Sequence, residues 1–217
     1  MQILAIDTAS PTPAVSLLAG GALFEETLPS DRRSSEELLP AIARVLAAAK
    51  TRLADCTRLA VCSGPGSFTG IRIGLATAWG LSRSSGIPVE AVSTLECMAE
   101  TVLSSTSGPE RVAAALDAGR GELVVERFAL GSGESRARSL APPRRVPVGA
   151  IAEAAEGDPL VELPGGLTGA PTLAPRSAPS SALALAVARA PRSAPPAPAA
   201  ASYSRPSAAE EKTRGPS

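Results

Sequence analysis

The sequence predicts an α/β protein of two lobes, the first ordered βββαβαβ and the second smaller and less regular. Three observations carry this. The apolar run Ile3 to Ile6 ends in Asp7, and the run Ala113 to Leu116 ends in Asp117, so a strand-then-aspartate pattern occurs twice. Three strand-like segments follow one another at the start of the chain. After them, segments of helical and strand period alternate up to Val92.

Taken in order, "QILAIDTAS" reads as a buried strand over Ile3 to Ile6. "AVSLLAG" and "ALFEETL" are two further strands. Gly20-Gly21 joins them, because paired glycines accept the positive φ angles of a tight hairpin. A helix is predicted over Ser34 to Lys50. Ser34 and Glu37 have capping-box spacing, and Leu38, Leu39, Ile42, Val45 and Leu46 recur at helical spacing. Pro40 removes one backbone donor and crowds the preceding turn, which predicts a bend or a later start. "RLAVCSG" is a strand, Thr69 to Ser84 a second helix, and Val89 to Val92 a further strand. In the second half, Gly119 and Gly121 turn the chain after Asp117 into the strand Leu123 to Phe128. "VGAIAEAAEG" and "SSALALAVARA" read as helices, and "LVELPGG" as a strand ending in a glycine turn. The expected division is a first lobe over 1–100, a second lobe over 101–190, and a Pro/Ala-rich linker with a polar tail over 191–217.

Composition excludes more than it suggests. The chain of 217 residues has five aromatics, Phe24, Phe68, Trp79, Phe128 and Tyr203, so its core must be aliphatic. Lys+Arg and Asp+Glu are both 21, which argues against a protein that grips a nucleic-acid backbone by itself. Arg136, Arg138, Arg144 and Arg145 read as a solvated arginine-rich loop. No basic-then-apolar leader and no run approaching about 20 apolar residues occurs, so a soluble, reduced, cytoplasmic protein with no membrane contact is expected. Cys56, Cys62 and Cys97 are odd in number and lack C-x-x-C spacing, and Cys62 reads as a small core residue. There is no histidine. That removes Ser-His-Asp and Cys-His catalysis and any His-based metal site. The two lysines, Lys50 and Lys212, stand at a helix end and in the polar tail.

The stretch "SGPGSFTGIRIGLATAWGLS", Ser63 to Ser82, has the look of a phosphate cradle. No Gly-Lys-Ser/Thr ends it, so it is not a P-loop. Gly64 and Gly66 fit a dinucleotide fingerprint, but Thr69 stands where the third glycine belongs. Pro65 stands where a nucleophile elbow at Ser67 needs glycine. Helix-start amides still attract anions weakly. Packing explains more of these residues. Gly70, Gly74 and Ala78 form a small-residue row four apart, with Ile71, Leu75 and Trp79 beside it. Each interior glycine costs a helix about 1 kcal/mol, which close backbone approach would offset. Approach by a partner helix and packing within the home lobe both satisfy that requirement.

Together "ILAIDTA", "SGPGSFTGIRIGLATAWGLS", "VSTLE" and "AALDAGRGELVVERF" resemble the TsaB (YeaZ) family, over Met1 to Leu130, and "YSRP" is similar to a closing motif of that family. The resemblance implies two lobes of the actin-like ATPase, or ribonuclease H-like, type. It implies a non-catalytic dimerisation subunit of the bacterial tRNA threonylcarbamoyladenosine (t6A) machinery, with no metal and no catalytic residue. Its partner would be TsaD, which holds a metal through histidines and transfers the threonylcarbamoyl group to the adenosine beside the tRNA anticodon. A chain without histidine cannot be TsaD. The ATPase TsaE would join the pair, threonylcarbamoyl-adenylate would be the donor, tRNA would be met through the complex, and the subunit alone would form a homodimer.

In the family the first two helices make the interface. That maps the partner surface onto Leu38, Leu39, Ile42, Val45 and Leu46 of the first and Ile71, Gly74, Leu75, Ala78 and Trp79 of the second. A degenerate nucleotide site would comprise Asp7, Thr8, Gly64, Gly66, Ser67, Thr69 and Asp117, with ATP or ADP held only weakly or in the assembled complex. The rival expectation is an ATP-using phosphotransferase or ATPase of the same fold, with Asp7 and Asp117 near phosphate and Mg²⁺ and Thr8 and Thr69 donating hydrogen bonds. The plainer role for Asp7 is to accept turn amides at a strand end. Two departures stand out: "RRSSEE" where many members have a histidine, and an unusually Ala/Pro-rich second lobe.

Overall fold

The computed structural model describes residues 1–30, 34–105, 107–131, 134, 136–162, 172–173 and 179–189. The expected linker and tail over 191–217, and the glycine turn after Leu160–Val161, lie outside them.

Strands β1 (Gln2–Asp7), β2 (Ala14–Ala19) and β3 (Ala22–Thr27) form an antiparallel meander. Gly20 and Gly21 turn it with φ of 58° and 85°. Helix α1 (Ser34–Ala48), β4 (Arg58–Cys62), helix α2 (Phe68–Ser85) and β5 (Val89–Val92) complete the expected βββαβαβ order. β4 and β5 run parallel to β1, giving the sheet order β3-β2-β1-β4-β5. Helix α1 begins at Ser34, so Pro40 does not delay its start; the proline sits on the exposed side and forfeits one bond, to Glu36. Glu37 is engaged with Arg44 rather than standing as a cap alone. Helix α2 starts at Phe68, one residue earlier than expected, because the Ser67 hydroxyl accepts the Gly70 N–H at 3.2 Å. It stops at Gly86, whose left-handed φ of 74° lets its N–H reach the Ser82 carbonyl.

Alternation along the strands fixes which face each helix covers. A Cβ on Gly74 would approach Ile6 and Val61, so α2 lies on their side of the sheet. Ile6 pairs with Val15 and Val15 with Glu26, and Glu26 is bonded to Arg44 of α1. Both helices therefore cover the same face.

Helix α3 (Thr94–Leu103) follows β5 and was not expected. A second sheet has its centre in β6 (Arg111–Gly119) and β7 (Glu122–Ala129), an antiparallel hairpin. The short strands β8 (Arg138–Ser139) and β9 (Arg144–Pro147) pair with β7. After helix α4 (Ile151–Ala155), β10 (Leu160–Val161) and β11 (Thr172–Leu173) run parallel to β6. The expected arginine loop is thus partly strand. Arg136 is not solvated as expected: it is half-buried between Glu90 and Glu96, at 2.8 and 2.5 Å.

The lobes exchange helices. Leu95, Met98, Ala99 and Val102 of α3 pack with Val112, Ala114 and Phe128 of the second sheet. Helix α5 (Pro179–Arg189), expected with the second lobe, instead covers the first sheet on the face opposite α1 and α2. Its Ser180 and Ser181 hydroxyls meet Ser16 at 3.3 and 3.1 Å, and Ala182, Leu183, Ala184 and Val187 join the first core. The physical reason is the sheet itself. Ile3, Ala5, Leu18 and Ala60 point to that face and would otherwise meet water.

Candidate functional site

The ends of β1 and β4 lie side by side and carry the two turns that build the site. Asp7, fully enclosed, accepts the N–H groups of Ala9 and Ser10 at 3.0 and 3.1 Å with one oxygen and the Ser10 hydroxyl at 2.6 Å with the other. Burial raises its pKa above 3.8, and the bonds from Ser10 and Ala9 oppose that rise. The next residue binds the turn to α2: the Thr8 hydroxyl donates to the Gly70 carbonyl at 2.6 Å. The Ser67 N–H bonds to the Ala9 carbonyl at 2.8 Å. A Cβ on Gly66 would overlap that carbonyl oxygen, and one on Gly70 would overlap the Thr8 carbonyl oxygen. These two glycines are required for the loop to sit this close to β1.

Between the lobes lies an open cleft of about 940 Å³, lined among others by Thr8, Glu36, Gly66, Ser67, Thr69 and Asp117. Five of the seven residues expected at a nucleotide site therefore meet there. Gly64 does not: it is buried, and its carbonyl accepts the Thr94 N–H at 2.9 Å. Nor is Asp7 among the residues lining the cleft; both its oxygens serve its own turn, as the plainer role has it. Asp117 does face the cleft, exposed, and accepts the Gly119 N–H at 2.6 Å. Among the described residues no three of His, Cys, Asp and Glu gather where they could hold a metal ion. Any anion would meet the α2 N-terminus and the hydroxyls of Ser67 and Thr69, and any cation Glu36 and Asp117. Imidazole is absent from the chain, and Lys50 lies at the far end of α1.

The helix pair required a larger correction. Of the ten expected partner residues, Leu38, Ile42, Val45, Ile71, Gly74, Leu75 and Ala78 are buried in the home core. The small-residue row faces the lobe's own sheet, because α2 lies directly on β1 and β4. A Cβ on Gly74 would already stand 2.6 Å from the Thr8 hydroxyl and 3.4 Å from Val61. Leu46 is half-buried, while Leu39 and Trp79 stand out at 58% and 48% exposure. The outer stripe of α2 is instead Phe68, Arg72, Ala76, Trp79 and Arg83, with the Arg72 guanidinium 3.7 Å over the Phe68 ring. Sequence reasoning missed Phe68, Arg72 and Arg83, although their spacing of roughly four places them on one helix face.

Two sheet-centred lobes that flank a cleft, each with helices on both faces, make this a two-lobed actin-like α/β protein. A family model described as "TsaD: tRNA N6-adenosine threonylcarbamoyltransferase" matches residues 25–146. The protein named "tRNA threonylcarbamoyladenosine biosynthesis protein TsaB" from Escherichia coli K12 is 40% identical over 128 residues, 59% of this chain and 55% of that protein. Its namesake from Haemophilus influenzae is 34% identical over 127 residues, 58% of this chain and 53% of that protein. The solved structure "YeaZ from Pseudomonas aeruginosa" is 27% identical with a TM-score of 0.71, covering 86% of this chain and 90% of that one. The chain belongs to the TsaB/YeaZ family, within the wider family that the matching model describes. It spans about half the length of the curated relatives it matches. Among the described residues no helix is long and apolar enough to cross a membrane.

Proposed function

We propose that this chain is a non-catalytic partner subunit of a TsaD-type threonylcarbamoyltransferase, acting in t6A modification of tRNA in the cytoplasm. The observation that carries the reading is the pair Leu39 and Trp79. Two large apolar side chains stand exposed on two helices of one sheet face, where a lone soluble lobe gains nothing from them. Paired with an equivalent surface, two such helices bury about 800 Å² per partner, the size of a standard stable interface. The absence of imidazole and the engagement of Asp7 in its own turn support a subunit that makes and breaks no bonds.

In this reading TsaD transfers the threonylcarbamoyl group from threonylcarbamoyl-adenylate, TsaE joins the pair, and tRNA is met through the complex. The chain pairs with itself when alone, and any ATP or ADP is held weakly, in the cleft or in the assembly. The strand order β3-β2-β1-β4-β5 supports the ribonuclease H-like description of the first lobe.

The test is the double substitution Leu39→Arg, Trp79→Arg in a reconstituted modification assay. Modification is expected to fall at least about tenfold, the equivalent of 1.4 kcal/mol of lost association, with the circular dichroism of the subunit unchanged. Unchanged modification contradicts the reading. Gly74→Arg is unsuitable for this purpose, since the side chain would enter the sheet contact.

A further inference from the structure

Cys62 closes β4 and Cys97 lies on α3, and their sulfur atoms are 3.8 Å apart. Neither residue is exposed. The pair sits where the lobes join: β4 belongs to the first sheet, while Leu95, Met98 and Ala99 of the same α3 pack into the second sheet's core. It also lies at the root of the glycine-rich loop, which begins at Ser63 and whose Gly64 carbonyl holds the α3 N-terminus through Thr94. A disulfide has its sulfurs about 2.05 Å apart, so about 2 Å must close, a distance within reach of side-chain rotation with a small shift of α3.

We propose that Cys62 and Cys97 form a reversible disulfide that fastens α3 to the end of β4, an oxidation-sensitive clamp between the lobes. The oxidant is a small hydroperoxide such as hydrogen peroxide. The Cys97 thiolate attacks one peroxide oxygen, the O–O bond breaks, and the departing hydroxide takes up the thiol's proton as water. The Cys62 sulfur then attacks the resulting sulfenic acid, the S–O bond breaks, and the second hydroxide leaves as water with the Cys62 proton. Two thiols lose two electrons in all, and one peroxide becomes two waters. Burial raises the Cys97 pKa; the hydrogen bond with Cys97, then burial and the neighbouring Asp7, raise that of Cys62 further. Both thiols therefore stay protonated while α3 is seated, and oxidation follows its opening.

The test treats the full folded chain with hydrogen peroxide, followed by non-reducing tryptic mass spectrometry. The expected product has lost two hydrogens and contains a linked pair of peptides, 59–72 with 84–111, which dithiothreitol separates. Cys56→Ser, which leaves the pair intact, is expected to give the same link, and Cys97→Ser none. Peptides that remain as free thiols, or carry sulfinic acid without a link, overturn the proposal, as does a link that forms only in urea. The wild-type map decides the matter even if Cys97→Ser fails to fold.

Discussion

Gly70 and Gly80 lie on one helix and answer to different physics. A Cβ at Gly70 would overlap the Thr8 carbonyl oxygen, whereas nothing lies within 4 Å of one at Gly80. Gly70→Ala is therefore expected to destabilise the protein by about 1–3 kcal/mol. Gly80→Ala is expected to stabilise it by about 1 kcal/mol through helix propensity. Urea unfolding of the two variants reads both signs. The glycine row shows the limit of sequence at this scale: it revealed close approach but could not name what approached, since a home strand and a foreign helix ask for the same missing Cβ. Asp7 is a second case. Its pKa is raised in the fold, so its favourable contribution is complete below the unfolded value of 3.8 and is lost as pH rises through the folded value. Asn keeps an oxygen for the Ala9 and Ser10 amides and carries no charge to bury. The Asp7→Asn variant is expected to gain in Tm over wild type progressively from pH 4 to pH 7; a constant difference across that range would refute the assignment.

At the scale of elements, α1 and α2 each have an inward and an outward face, and the boundary on α1 runs between two adjacent leucines. Leu38 is 1% exposed and Leu39 58%. Leu38→Ala is expected to cost about 2–5 kcal/mol of stability. Leu39→Ala should stay within about 0.5 kcal/mol of wild type when the subunit is free, as thermal melts of the two would show. Helical spacing identified α1 correctly, yet period alone cannot divide neighbours that sit at the edge of the buried stripe. Helix α3 escaped the pattern for the opposite reason. Thr94, Leu95, Cys97, Met98, Ala99, Glu100, Val102 and Leu103 are all buried, so only Glu96 and Thr101 of its ten residues reach the surface and the segment is too short and too enclosed to stand out by period. Even its Glu100 is enclosed, accepting the Ala137 N–H at 2.7 Å.

At the scale of the molecule, the chain's strand order in the first lobe was legible because each strand there is bounded by glycine, aspartate or a helix pattern. The exchange of helices was not legible, because nothing in "SSALALAVARA" says which sheet it will cover. That exchange ties the lobes together, and Arg136, shared by Glu90 of the first sheet and Glu96 of α3, adds a half-buried ionic tie. Burial lowers the Arg136 pKa, and Glu96 and then Glu90 more than restore it, so the guanidinium stays charged. A chain ending at residue 178 is therefore expected to lose cooperative unfolding of the first lobe, uncovering Leu18 and Ala60; a sharp thermal transition at the wild-type temperature would contradict this. On the outer side of α1 and α2, Leu39 and Trp79 stand exposed, and the proposed partner surface is centred on them. The most direct test of that claim is the mass, by sedimentation equilibrium, of the purified chain mixed with a TsaD protein. A one-to-one complex, lost in the Leu39→Arg, Trp79→Arg variant while that variant stays folded, is the predicted result. Two species that sediment separately at micromolar concentration would contradict it.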